Sequence, residues 1–493
     1  MTRRILCLSR SYLSRLLPTL GARDTVAEYL HIVQTDAEET VVGRLGGKVI
    51  LNLQARVRQE LARSDGAEWS EPADFRAVTG FDWSPVFADR SLPNFPPHLR
   101  LKIAGILQRA VAELFERYEF TGFLSEPVAL FITHVIFYHC RLHNVRPLLW
   151  ANTYFPGNFY FADSIDISVP AQRPQVGCER IAELTALVEK YVAGVIGDRA
   201  GPVYHHAFSK EPPSRLSYFR QRRGEDPLVL TPGWSSRLIQ LLRLARVAGA
   251  RLVFPQRSDY ITAGSVAEHR FYLRCLFTPR SVYDEPPADF SPTNVVYPLQ
   301  YEPEASLLYF APDIVNQLAY VETLLRALPS DRVLWIKEHP NQFGALGDPR
   351  WLELKKRYHN ARFVYGRVSG RELIKRAALV VAISSTAGLD GVLLGRRVLV
   401  SGNVFYRSFT GAVPVHSYAE LARLLNDPGT YTLRNDVAAN VRELVAFGAQ
   451  CYPGDPQPAR SLFEDENLRN LIAAIHLALG EEAPARVPQA VAN

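Results

Sequence analysis

Four short polar clusters hold the residue types that could do chemistry. Gln300-Tyr301-Glu302, Lys337-Glu338-His339, Ser384-Ser385-Thr386 and Ser401-Gly402-Asn403 each follow directly on an apolar run. An imidazole exchanges its proton near neutral pH, so His339 could protonate a departing phosphate oxygen. Lys337 offers a point charge to the same group, and Pro340 fixes the turn they bracket. The Ser384–Thr386 stretch sits where a strand gives way to a helix. Hydroxyls, backbone N–H groups and the positive helix end suit a phosphate there, although ordinary helix capping uses the same residues. Glu302 could orient a hydroxyl or act as a base. Asp390, one turn further on, could meet ribose hydroxyls or face solvent. Gln300 and Asn403 complete the set as polar residues at the same strand ends.

Elsewhere the candidates are fewer. Glu126 follows an apolar run and precedes a helical one, so it reads either as a capping acid or as a catalytic carboxylate. His139 and His143 have the i, i+4 spacing of a metal pair, but no third ligand is evident. Asp36, Glu38 and Glu39 read as a solvated turn. The sequence contains no Walker loop, no GxGxxG after a strand and no strict Asp-x-Asp, so no metal site and no cofactor is indicated.

The elements that must position these residues follow an α/β grammar. Strands are expected at Ile5–Ser9, Tyr29–Val33, Phe120–Leu124 and Pro147–Ala151. Helices are expected over Ser11–Leu20, Leu99–Phe115 and from Ser125 to about Arg141, the last opened by Ser125-Glu126-Pro127. From Asn294 onward the pattern predicts strands at Val295–Leu299, Arg332–Ile336, Ala361–Tyr365, Leu379–Ile383 and Arg397–Val400. Helices alternate with them at Asp313–Leu328, Trp351–Arg357, Gly370–Ala377, Ala387–Leu394 and Tyr418–Leu425. Ser369…Glu372 and Ser417…Glu420 carry capping-box spacing. The stretch Ala171–Ser291 reads as mostly helical, with Pro212-Pro213 and Arg220–Arg223 inside it and a linker near Asp284–Pro292. A terminal helix is expected at Leu468–Leu479. Repeated strand–helix units indicate parallel sheets, whose ligands bind beyond the carboxyl ends of the strands. Four polar clusters after four strands of one sheet therefore converge on one edge. The division expected is residues 1–290, an α/β domain with a helical insertion, and 291–493, a Rossmann-like domain with a terminal helix.

Composition sets the outer bounds. The chain has 493 residues, 47% hydrophobic and 22% charged, enough for a large core. Its longest apolar run, Val128–Cys140, is interrupted by His134 and His139 and is too short to span a bilayer. Arg10 and Arg15 break any secretory apolar region near the start, which with five widely spaced cysteines indicates a cytoplasmic protein. The net charge of +6 is mild, and no arginine run interleaved with aromatics points to nucleic acid. A basic face could attract anionic lipid or an anionic polymer, but reads first as an ordinary solvated surface.

In their order, Gln300-x-Glu302, Lys337-x-His339-Pro340, Ser384-Ser385-Thr386-Ala387-Gly388-Leu389-Asp390 through Gly395, and Val398–Tyr406 resemble the bacterial capsule polysaccharide biosynthesis family. That family includes Kdo transferases that build a linker on a lipid acceptor. The resemblance spans Asn294–Tyr406, with a weaker one over Trp150–Asp163. It implies a GT-B glycosyltransferase, with two Rossmann-like domains, helical insertions and an interdomain cleft. The donor implied is a nucleotide-activated sugar, CMP-Kdo or a related CMP-sugar, and the acceptor a glycan or glycolipid at the cytoplasmic face of the inner membrane. By the same resemblance His339 contacts or protonates the donor phosphate and Ser384, Ser385 and Thr386 hold it. Gln300 and Glu302 then lie on the sugar or acceptor side, Gln300 and Asn403 contact substrate, and no metal is needed. The resemblance further implies that the domain 1–290 is the acceptor side and that 291–493 binds the nucleotide sugar. Two departures stand out: Asp390 occupies a position where the family has Glu, and Glu338 adds a negative charge between Lys337 and His339. A nucleotide-sugar 2-epimerase, a polyol-phosphate transferase and a non-catalytic component of a capsule assembly complex remain rival readings.

Overall fold

The fold is described from a computed structural model of the chain. It covers residues 3–480 apart from 64–67, 81–88, 90–91, 129, 156, 172–176, 199–233, 254–269, 272, 288–289, 291–292, 303–306, 308–309, 312–313, 315, 340–341, 343 and 458–460. Pro340, Pro212-Pro213, Arg220–Arg223 and much of the expected linker lie outside the described residues.

The chain divides into two units. The first comprises 1–174, 243–269 and 450–493, and the second 175–242 and 270–449. The boundary expected at 290/291 is thus replaced by a chain that crosses more than once. The cause is apolar surface. The terminal helix Asp465–Ala478 places Leu468, Leu471, Ile472 and Ile475 in one core with Ile5, Leu13, Leu17 and Trp150. A buried Asp24–His476 contact of 2.8 Å fixes it there. Helix Cys178–Ile196 instead packs on helices Val437–Gly448 and Thr386–Leu393 of the second unit.

The first unit is built on β1 (Arg3–Leu8), β2 (Ala27–Val33), β3 (Lys48–Asn52), β4 (Gly122–Ser125), β5 (Arg146–Asn152), β6 (Asn158–Ala162) and, from the end of the chain, Tyr452–Pro453. Strands β3-β2-β1-β4-β5 are parallel in that spatial order, β6 is antiparallel to β5, and Tyr452–Pro453 closes that edge on β6. The second unit holds β7 (Asn294–Pro298), β8 (Val333–Lys337), β9 (Ala361–Val364), β10 (Leu379–Ala382), β11 (Arg397–Val400) and β12 (Ala412–Pro414). All are parallel, in the order β9-β8-β7-β10-β11-β12; the Tyr452–Pro453 strand is β13. Each order reverses once, between β1 and β4 and between β7 and β10. A doubly wound sheet leaves a crevice at that point, because the connections on its two sides run to opposite faces.

The nine expected strands form. The unforeseen ones, β3, β6, β12 and β13, are short or lie at or beside an edge. The helix expected from Ser125 begins at Phe131 instead. Ser125 is still paired with Leu149 in the sheet, so it cannot cap, and the Thr133 hydroxyl closes the turn on Leu130. Asp36–Arg44 is a helix rather than a turn: Thr35 and Glu38 make a reciprocal capping box. Ser369 and Ser417 cap as expected, accepting from the Glu372 and Glu420 N–H groups.

Candidate functional site

Because every strand of the second sheet points the same way, the four polar clusters emerge at one edge. Gln300, just past β7, donates from Nε2 to the Ser384 hydroxyl just past β10, at 2.8 Å. That bond crosses the point where the strand order reverses. Both residues are buried, at 5% and 3% exposure.

The loop after β8 joins the same rim. The Tyr301 and His339 rings meet edge to face at 5.8 Å. The Leu299 N–H bonds the Lys337 carbonyl at 2.8 Å. Gln342 accepts from the Glu302 N–H at 2.8 Å and donates back to the Glu302 carbonyl. On the other side, the Gly402 N–H reaches the Ile383 carbonyl at 2.8 Å. A Cβ at Gly402 would lie 2.7 Å from that oxygen, so only glycine lets the loop after β11 approach so closely.

At the helix start, Ser385 occupies the capping position, yet its hydroxyl makes no cap. Its Oγ is shielded from solvent and has no hydrogen-bond partner. The first N–H groups of any helix lack partners within it, so the helix Thr386–Leu393 presents donors at this rim. The Ser385 carbonyl accepts from the Tyr406 hydroxyl at 2.6 Å. Such a turn can hold an anion by N–H donors and hydroxyls together.

Three acids and one lysine are more engaged than their sequence positions suggest. Glu302 meets the start of helix Gln317–Ala327, where the Gln317 backbone N–H and side-chain amide both reach it at 3.4 Å. Burial pushes its carboxyl above the usual range, against those two donors. Glu338 is fully buried and points away from the rim. It accepts from the Tyr283 hydroxyl (2.8 Å) and the N–H groups of Gly344 (2.8 Å), Leu346 (3.3 Å) and Gly366 (3.4 Å). The extra charge between Lys337 and His339 therefore ties down the loop that carries His339. Burial raises its carboxyl to about 7, against those donors. Lys337 also turns inward: Nζ donates to the Glu338 and Gly366 carbonyls at 3.1 and 3.0 Å, and burial lowers it to about 8. Asp390 does not face solvent. It is 6% exposed and accepts from Arg371 Nε at 2.9 Å, while its Oδ1 has no hydrogen-bond partner. Asn403 accepts from Arg407 at 2.7 Å, and its N–H bonds the Phe310 carbonyl.

The rim thus brings together Gln300, Glu302, His339, Ser384, Ser385, Thr386 and Asn403, while Lys337 and Asp390 lie beneath it. Sequence reasoning missed Gln317, Gln342, Arg371 and Tyr406. Gln317 is a hub: its amide oxygen accepts from the Tyr297 hydroxyl and the Gln300 N–H, and its nitrogen donates to the Gln300 carbonyl. A glutamine at the first position of a helix gives no signal that it will brace another loop.

The first unit has a parallel arrangement of its own. Arg10, just past β1, pairs with Glu126, just past β4, at 2.7 Å, again across the reversal point. Glu126 is thus an ion-paired residue in the crevice of its sheet, not a helix cap. His139 and His143 stack on each other at 6.1 Å and against Phe115 at 5.3 and 5.2 Å. No group of three metal-ligating side chains occurs among the described residues.

Residues 284–412 match the family model described as capsule polysaccharide biosynthesis protein, which contains the stretch that carries the sequence resemblance. Protein FixF of Sinorhizobium fredii (strain NBRC 101917 / NGR234) is 26% identical over 123 residues, 24% of this chain and 29% of FixF. The match therefore spans less than a third of that relative. Among solved structures, the β-Kdo 2,4 transferase of KpsC from Thermosulfurimonas dismutans shares 12% identity, covering 73% of this chain and 87% of that one, with a TM-score of 0.30. The UDP-GlcNAc 2-epimerase of Methanocaldococcus jannaschii, in complex with UDP-GlcNAc and UDP, shares 11% identity over 90% and 98%, with a TM-score of 0.27.

Proposed function

We propose that this chain is a glycosyltransferase of capsule or surface polysaccharide assembly that uses a nucleotide-activated sugar, of the CMP-Kdo class. The observation that carries this reading is the Gln300–Ser384 bond across the β7/β10 reversal, with His339 and the start of helix Thr386–Leu393 on the same rim. The match of residues 284–412 supports the polysaccharide context.

In this reading the departing phosphate rests on Ser384, Ser385 and Thr386. The helix N–H groups and hydroxyls take up the charge that develops as the sugar–oxygen bond breaks, and His339 gives that oxygen a proton. Gln300, Glu302 and Asn403 face the sugar. Lys337 and Asp390 act from below: one is a buried positive charge under the rim, the other braces the helix. Glu126 is the acceptor-side carboxylate, oriented by Arg10, and takes the proton of the acceptor hydroxyl. The acceptor is a glycan or a lipid-linked glycan.

The test is thermal stabilisation by CMP, CDP, UMP and UDP, followed by donor turnover. A nucleotide at about 100 times its Kd adds roughly 2.7 kcal/mol, and cytidine nucleotides are expected to give the shift. A preorganised donor contributes on the order of 3–4 kcal/mol at the transition state. His339→Ala should therefore slow transfer by about 10²–10³-fold while leaving the melting temperature unchanged. Normal transfer by that variant removes His339 from the mechanism. Stabilisation by no nucleotide overturns the reading, and a response to uridine nucleotides alone moves the donor to the epimerase class.

A further inference from the structure

Helix Trp234–Val253, which belongs to the second unit as far as Leu242, carries an apolar patch that the core does not explain. Helix Trp234–Val253 presents Trp234 (82% exposed), Leu238 (59%), Leu241 (45%) and Leu242 (62%). Trp234 is the most exposed of the large apolar side chains among the described residues. These positions are i, i+4, i+7 and i+8, so at 3.6 residues per turn they form one stripe. Phe277 (53% exposed) extends the stripe from outside the helix. The Arg237 guanidinium lies between the two aromatic rings, 5.5 Å from the centre of Trp234 and 4.8 Å from that of Phe277, and its Nε donates to the Leu276 carbonyl. The aromatic pair is therefore fixed to the unit. An amphipathic helix normally turns such a stripe inward; here it faces out.

The charge on the helix narrows what can cover it. Residues 234–253 include Arg237, Arg243, Arg246 and Arg251 and no acidic residue. Arg246, exposed, borders the stripe beside Leu242 as Arg237 borders it on the other side, while Arg243, also exposed, lies on the opposite side of the helix. A second copy docked on this stripe would set arginines against arginines with no carboxylate on either helix to relieve them. An anionic bilayer meets both features. Its acyl boundary accepts Trp and Leu, and its headgroups pair with the flanking guanidinium groups. No helix among the described residues is long and apolar enough to cross a membrane, so the helix would lie in the interface plane.

We infer that helix Trp234–Val253, together with Phe277, is a docking surface for an anionic lipid bilayer. The inference stands on exposure and charge and does not depend on the transferase reading, because membrane binding can be measured without donor or acceptor. The experiment is co-sedimentation of the full chain with vesicles of phosphatidylcholine, alone or mixed with phosphatidylglycerol. Binding to the mixed vesicles is expected, with little to the neutral ones. The pair Leu238→Glu and Leu242→Glu, on exposed positions, should lower the bound fraction by about tenfold or more, as should Arg246→Glu. An unchanged melting temperature shows that both variants are folded. Equal binding to neutral and anionic vesicles, no binding, or full binding by either variant overturns the inference. Concentration-dependent self-association that Leu238→Glu and Leu242→Glu abolish, without vesicle binding, assigns the surface to a second copy instead.

Discussion

Arg371 and Asp390 show how residue types at the rim were legible while their state was not. Asp390 reads from sequence as one turn into a helix, either meeting ribose hydroxyls or facing solvent. Its carboxyl is buried because helix Gly370–Arg376 brings a guanidinium beside it, 19 positions earlier in the chain. Burial still pushes the carboxyl above its ordinary range, against Arg371. A lone buried charge costs more than the pair contributes. Arg371→Met should therefore destabilise the second unit by about 3–5 kcal/mol, and adding Asp390→Leu should recover much of that loss. Denaturant unfolding of the two single variants and the double variant checks this. Strict additivity would mean that Asp390 does not depend on Arg371.

Helix Thr386–Leu393 is the element on which the site rests, and it could not stand alone. It has only eight residues, two of them glycine, well below the length that holds a helix in water. Packing holds it: Leu389, Val392 and Leu393 are buried against the sheet. The glycines are what allow the approach. A Cβ on Gly388 would fall inside contact distance of the Tyr406 hydroxyl, and one on Gly391 would lie 2.8 Å from a Val398 methyl. The Ser-Ser-Thr start was readable because it follows a strand. That Tyr406 reaches back to the Ser385 carbonyl was not, since it lies 21 positions further on, past another strand. Gly388→Ala is expected to cost about 1–3 kcal/mol through overpacking and to abolish stabilisation by nucleotide. Tyr406→Phe, which removes one oxygen, should cost about 1 kcal/mol. Melting curves with and without nucleotide compare the two; a Gly388→Ala protein as stable as wild type would show that the close approach is dispensable.

At the scale of the whole molecule, buried titratable groups make stability fall both toward acid and toward neutral pH. In the first unit burial lowers His31 to about 4 and His134 to about 3, below the usual 6.5. The folded state holds these rings neutral while the unfolded chain binds protons, so stability falls as pH drops from about 6.5 toward 4, by on the order of 3 kcal/mol for each ring. In the second unit Glu338 is raised to about 7 from 4.5. Here the folded state holds the proton more tightly, and stability falls as pH rises from about 4.5 to 7. His134→Leu should flatten the acid loss and Glu338→Gln the loss toward neutrality, each read as the pH dependence of unfolding against wild type. Identical pH profiles would refute the assignment. The sequence by itself determined the alternation of strands and helices, the parallel sheets, the polar loops that follow β7, β8, β10 and β11, and the family likeness of Asn294–Tyr406. Local periodicity, capping residues and short motifs are enough for these, because each is set by neighbours in the chain. Only the tertiary structure decided that the last helix returns to the first sheet, that Lys337 and Glu338 turn inward, and that Arg10 meets Glu126 as Gln300 meets Ser384. Such pairings depend on which apolar faces bury one another, and that burial joins residues from 84 to 452 positions apart.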